Sequence, residues 1–199
     1  MRHSAPRLLL GLLLPGLLLL GGFAPAEAPG RAEAIFAMGC FWSAEAAMEK
    51  QPGVIEAVSG FAGGTVVNPS YRQVTRGGTG HIEAVRVVYD PEKTTYAKLL
   101  AAFWHNIDPF DPDGQFCDRG ASYHTAVFAM NAGQRTIAET TRTQIEAHFG
   151  KPVTTAIRGS ATFYPAEGYH QDFAKRNALR YRAYRSGCGQ DRRLKAVWG

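Results

Sequence analysis

Cys40 stands between a wholly apolar run, Ala34-Ile35-Phe36-Ala37-Met38, and a stretch of helical periodicity that continues through Lys50 and stops at Pro52-Gly53. A cysteine where a buried strand turns into a helix lies near unpaired backbone N–H groups and the positive end of the helix dipole, which stabilise a thiolate. The chemistry open to it is nucleophilic or redox, and a small inert core residue is the competing reading of the spacing alone. Cys117 and Cys188 are far away in sequence, with no Cys-x-x-Cys and no paired-ligand spacing, so no structural metal is expected. Three is an odd count, so at least one thiol stays unpaired or cycles.

The elements that must position these residues follow from periodicity. Strands are expected at 34–38, 54–61, 81–89, 125–130 and 153–157. Helices are expected from Cys40 to Lys50, from Thr95 to His105 with Leu99, Leu100, Phe103 and Trp104 at helical spacing, and from an Asn131 cap to Gly150. The segments 63–80 and 108–120 read as turns and loop, and the chain after 157 as an aromatic, basic stretch. Strands alternate with helices but not in strict β-α-β order. The predicted fold is therefore α+β, a two-layer sandwich with a mixed sheet and a ferredoxin-like core.

Ahead of this domain, Arg2 and Arg7, the leucine-rich run 8–20 and the small residues Ala24, Ala26 and Ala28 have the layout of a secretory signal peptide. Residues 1–28 are expected to be removed, leaving 29–199 as a single exported domain, in the bacterial periplasm, with no integral membrane anchor after cleavage. A retained anchor is the alternative, although the apolar run is short for a spanning helix. The net charge is a modest +5 and the basic residues are scattered, so nucleic-acid binding is not indicated.

Gly39-Cys40-Phe41-Trp42 resembles the signature of the A-type peptide methionine sulfoxide reductases. The likeness extends through Asn68-Pro69-x-Tyr71, Gly80-His81-x-Glu83-Ala84-Val85, Asp118-x-Gly120-x-x-Tyr123 and Phe163-Tyr164-Pro165-Ala166-Glu167-x-Tyr169-His170-Gln171. The resemblance implies that Cys40 attacks the sulfur of methionine S-sulfoxide, in oxidised proteins or peptides, releasing methionine and leaving a sulfenic acid. A second cysteine then condenses with it, and a thioredoxin-like dithiol donor reduces the resulting disulfide, without a cofactor. A monomer is expected.

The residues carried over by this resemblance also have a physical reading. Strand alternation puts Glu83 on one face with Val85, Val87 and Tyr89, where desolvation would raise its pKa and let it hand a proton to the sulfoxide oxygen. A glutamate turned out to water is the alternative. Tyr71 and Tyr123 correspond to two hydroxyl donors that hold the same oxygen. Phe41 and Trp42 would wall an apolar pocket for the substrate S-methyl group, and Asp118 would orient the site. Cys188, in the flexible-looking Ser186-Gly187-Cys188-Gly189, is the expected resolving cysteine. Cys117 is the alternative, as resolver, free thiol or disulfide partner of Cys188.

Three positions depart from the family pattern: Ser43 replaces a glycine, His124-Thr125 replaces Arg-Ser, and Cys117 stands where a cysteine is uncommon. Ser43 is expected to alter only the first helical turn. Two other functions fit parts of the sequence. A cysteine hydrolase would pair Cys40 with one of His81, His105, His124 or His170, and a non-catalytic module would use the aromatic C-terminal segment for binding.

Overall fold

The structure, a computed structural model, describes Met1 and residues 30–199; the expected signal peptide, residues 1–28, lies, apart from Met1, outside the described residues. In chain order the elements are β1 (Ala32–Met38), α1 (Phe41–Met48), β2 (Val54–Ala62), α2 (Tyr71–Arg76), β3 (Ile82–Tyr89) and α3 (Tyr96–His105). A small hairpin of β4 (Gly114–Gln115) and β5 (Asp118–Arg119) follows, then a short 3-10 turn at Ala121–Tyr123, β6 (Thr125–Phe128) and α4 (Ala132–Phe149). The chain ends with β7 (Ala156–Arg158), β8 (Phe163–Pro165), α5 (Phe173–Arg176), α6 (Ala178–Gly187) and α7 (Gln190–Trp198).

Six strands form one sheet in the order β7-β6-β1-β3-β2-β8. All its pairs are antiparallel except β6 with β7. The inner order β6-β1-β3-β2, with α1 and α3 as connections, is the expected ferredoxin-like core. β1 is central, which is why its sequence is apolar on both faces rather than alternating. Phe36, Met38, Val85, Val87 and Tyr89 turn to the helix layer and pack with Phe41, Met48, Leu99, Leu100 and Phe103. Ile35, Ala37, Ile82, Ala84 and Phe128 form a smaller cluster on the opposite face.

The capping signals act as read. Thr95 accepts from Lys98 N–H, Asn131 accepts from Gln134 N–H, and Gly150 ends α4 in the left-handed conformation. Four expectations need correction. The 63–80 turn contains α2, which has a full capping box of Ser70 and Gln73. The 108–120 loop contains the β4–β5 hairpin. The aromatic, basic stretch after 157 is not irregular but contains β8 and three consecutive helices, and the strand expected at 153–157 occupies 156–158.

The turn that delivers Cys40 depends on Gly39. Its φ is +78°, and a Cβ there would lie 2.5 Å from Cβ of Gln115. Gln115 cannot retreat, because it is fully buried and its amide is bonded to Asp108 N–H at 2.7 Å and Asp108 C=O at 2.8 Å. Gly39→Ala is therefore expected to destabilise the protein by about 2 kcal/mol or more, strain and overpacking each contributing about 1–3. Denaturant unfolding measures this, and an unchanged midpoint would refute it.

Candidate active site

β3 places Glu83 on the helix-facing side with Val85, Val87 and Tyr89, as its alternation implies, and the residue is only 1% exposed. The first N–H of α1, on Phe41, donates to Glu83 Oε2 at 2.9 Å. Burial pushes the carboxyl up to about 8, the Phe41 N–H opposes this and the Asp118 charge adds to it. Glu83 therefore carries its proton at neutral pH.

Cys40 is half-buried at the N-cap of α1, with no side-chain capping bond. Desolvation is the largest influence on its thiol, followed by the charge of Glu83. Both push it well above the ordinary cysteine range, with Asp118 adding to them and the Tyr184 hydroxyl and Trp42 N–H opposing. The expected ionised thiolate is thus corrected in direction: burial and the neighbouring Glu83 favour the neutral thiol at Cys40. The helix terminus that was to stabilise its charge already serves Glu83 through the Phe41 N–H.

Two tyrosine hydroxyls join this pair. Tyr71 opens α2, and its backbone N–H donates to Glu167 Oε1 at 3.0 Å, which fixes the helix start. Tyr123 ends the 3-10 turn, and its hydroxyl donates to that of Tyr71. Burial and then Glu83 raise both phenols, so they remain hydrogen-bond donors. Asp118, on β5, accepts from the Tyr184 hydroxyl at 2.5 Å. Burial raises the Asp118 carboxyl against that bond.

The apolar wall is present at Phe41 and Trp42. The Phe41 ring lies 5.8 Å from Phe61 and 6.0 Å from Tyr71. The Trp42 indole stacks on Phe173 with centroids 3.7 Å apart, and its Nε1–H donates to His170 Nδ1 at 3.0 Å. That acceptor must be an unprotonated nitrogen, and burial lowers the His170 pKa accordingly.

The structure thus brings Cys40, Glu83, Tyr71, Tyr123, Asp118, Phe41 and Trp42 together. It also adds residues with no role in the reading of the sequence alone. Tyr184, from α6, donates its hydroxyl proton to Asp118 and stands beside the Cys40 sulfur, His170 and Phe173 hold Trp42, and Glu167 holds Tyr71. Glu167 and His170 lie within the motif quoted above, so a signal for them existed. Tyr184 carries none beyond membership of an aromatic stretch, because only the folding of α6 over α1 brings it to the sulfur. Ser43 does more than alter a helical turn: its hydroxyl donates to Gln190 Oε1 at 2.9 Å, tying α1 to the start of α7.

Cys188 is disulfide-bonded to Cys117, with Cα atoms 4.9 Å apart, and Cys40 is the free cysteine among the described residues. Cys188 sits at the junction of α6 and α7 rather than on a loose tail, because Tyr184, Tyr181 and Gln190 anchor the two helices against α1 and β5. The hydrolase reading fails on geometry. The groups acting on Cys40 include no histidine, His81 is engaged with Gly64 N–H and Val66 C=O, and His170 with Trp42.

The sequence model of the peptide methionine sulfoxide reductase family matches residues 32–199. A peptide methionine sulfoxide reductase MsrA 2 of Rhizobium meliloti is 47% identical over 193 residues, covering 97% of this chain and 94% of its own. A protein of the same name from Caulobacter vibrioides is 51% identical over 195 residues, covering 97% and 99%. Among solved structures, methionine sulfoxide reductase A of Corynebacterium diphtheriae superposes with a TM-score of 0.68 at 31% identity, covering 76% of this chain and 77% of that one. Mxr1 from Saccharomyces cerevisiae in reduced form gives 0.70 at 25% identity, covering 78% and 89%. With the match running from β1 to the last residue and relatives near half-identical along almost their whole length, the chain belongs to the peptide methionine sulfoxide reductase family.

Proposed function

We propose that this protein reduces methionine S-sulfoxide to methionine by thiol chemistry at Cys40. The observation that carries the reading is the shared start of α1, where the sulfur and a proton-bearing Glu83 lie beside two hydroxyl donors. The sulfoxide oxygen accepts from Tyr71 and Tyr123, and its S-methyl group rests against Phe41 and Trp42. Cys40 loses its proton and attacks the sulfoxide sulfur while Glu83 gives its proton to the oxygen. The S–O bond and the newly formed sulfur–sulfur bond then break as the protonated oxygen passes to Cys40. Methionine leaves with two electrons gained, and Cys40 becomes a sulfenic acid.

Cys188 resolves that intermediate in this reading. Its thiol condenses with the sulfenic acid, releasing water, and the Cys117 thiol then displaces Cys40 from Cys188 to give the bond seen here between Cys117 and Cys188. A thioredoxin-like dithiol donor returns the pair to thiols. Oxidised proteins or peptides are the substrates, residues 29–199 act as one catalytic unit, and the working form is a monomer. The basic, leucine-rich start supports export to the periplasm, where the donor must also reside.

Racemic methionine sulfoxide with dithiothreitol as reductant, followed by chiral analysis, tests the reading. The S epimer is consumed and the R epimer remains. Equal consumption of both epimers, or of neither, would overturn it.

A further inference from the structure

The disulfide joins two sulfurs in unequal surroundings. Cys117 is exposed on the β4–β5 hairpin, preceded by Phe116 at φ +57°. Cys188 is half-buried between two helices, and it lines a groove of about 430 Å³ in which Arg119 and Arg193 are paired with Asp111 and Asp108 while Arg192 has no carboxylate partner among the described ion pairs. Thiol–disulfide exchange requires approach along the S–S axis to one sulfur and departure of the other as a thiolate. Exposure favours attack at Cys117.

The surroundings of Cys188 favour its departure. It immediately precedes Gly189, the N-cap of α7, a nine-residue helix with no side-chain cap on its first N–H groups. The Arg192 guanidinium folds back over this turn, a Cβ on Gly189 lying 2.8 Å from one of its nitrogens. Asp191, the acidic residue of the first turn, is bound by Arg185 at 2.5 Å, so its charge is offset. Asp118 lies within 4.8 Å of both sulfurs and does not discriminate between them.

We infer that the dithiol donor attacks Cys117, not Cys188, so that the exposed hairpin sulfur is the point at which reducing electrons reach the enzyme. This rests on the reductase reading above and extends it by assigning Cys117 a direct role. The donor thiolate forms a bond to Cys117 Sγ as the bond from Cys117 to Cys188 breaks. The electron pair goes to Cys188 Sγ, which takes a proton from solvent. The donor's second thiol then attacks the donor sulfur of the mixed disulfide, releasing the Cys117 thiol and leaving the donor as its disulfide, two electrons poorer. The polarity serves the cycle: the first thiol freed is Cys188, the one needed for the next sulfenic acid, while the donor remains on Cys117.

The test uses the full oxidised protein and a thioredoxin whose second active-site cysteine is replaced by serine, so that the mixed disulfide is trapped. After seconds of reaction, free thiols are blocked with N-ethylmaleimide and peptides are mapped by mass spectrometry. The donor is expected on Cys117 and the maleimide on Cys188, in at least roughly tenfold excess over the reverse pattern. The reverse pattern, or no adduct at either cysteine, overturns the inference. A parallel sample of fully reduced protein receives methionine sulfoxide without donor. If no bond between Cys117 and Cys188 forms there, the proposed function is at fault rather than the direction of exchange.

Discussion

Glu83→Gln lowers the rate of sulfoxide reduction by about 10²- to 10⁴-fold, the range for a lost general acid, and it changes the form of the pH profile. The amide keeps a hydrogen-bond donor of the same shape but has no proton to give. The sign of the pH effect follows from the two resting groups. Glu83 titrates at about 8 and Cys40 well above the ordinary thiol range, so below pH 8 both hold protons. The reacting form needs a thiolate and a carboxylic acid, one proton shared between the pair. Rising pH removes the surplus proton, so kcat/KM with single-turnover readout climbs roughly tenfold per pH unit and levels near 8. Had Cys40 been a ready-made thiolate, as its place at a helix start suggests, the same Glu83 would give the opposite profile, a decline above 8. In Glu83→Gln the levelling near 8 disappears and the rate continues to climb with Cys40 ionisation alone. A wild-type rate that falls between pH 8 and 9, or a variant within threefold of wild type, would refute this assignment.

The pH argument also shows where reading from residues reaches its limit. Glu83 was legible because strand alternation is a local rule and Val85, Val87 and Tyr89 declare the buried face. Cys40 was legible as a position, since an apolar strand running through Gly39 into a helix is visible in five residues on either side. Its charge state was not. That depends on which group takes the Phe41 N–H, and the taker lies 42 residues away. The core sheet followed from periodicity and capping, with Thr95, Asn131 and Gly150 acting where they were read. The capping box of Ser70 and Gln73 was present in the sequence but was obscured by the surrounding glycines and by Asn68-Pro69. The C-terminal helices were missed for a different reason. α6 and α7 are short, and their buried residues number one each, Tyr181 and Gln190, so no apolar stripe marks them. What holds them is a set of single long-range bonds, Ser43 to Gln190, Tyr184 to Asp118 and Arg193 to Asp108, together with the disulfide. Partners 66 to 147 residues apart in sequence leave no local pattern.

Those long-range ties make the effect of removing the sulfur itself easy to isolate. Cys40→Ser is expected to abolish turnover, a loss on the order of 10⁴- to 10⁶-fold, as for removal of the nucleophile from other covalent enzymes. The fold should not suffer. Residue 40 is the N-cap of α1 and makes no side-chain capping bond as cysteine, whereas serine is among the preferred N-cap residues and could add about 0.5–1 kcal/mol. An unfolding midpoint equal to or above that of wild type therefore assigns the loss to chemistry. The remaining cysteines supply a second readout. In wild type, reduced and supplied with methionine sulfoxide alone, two methionines appear per protein: the first as the bond between Cys117 and Cys188 forms, because the oxidising equivalent reaches that pair through Cys40, and the second as the freed Cys40 thiol is oxidised to sulfenic acid. In Cys40→Ser the pair still oxidises with diamide but does not respond to sulfoxide. Should the serine variant form the bond when given sulfoxide, Cys117 or Cys188 would be attacking substrate directly, and the site built around Glu83, Tyr71 and Tyr123 would not be where the sulfoxide is reduced.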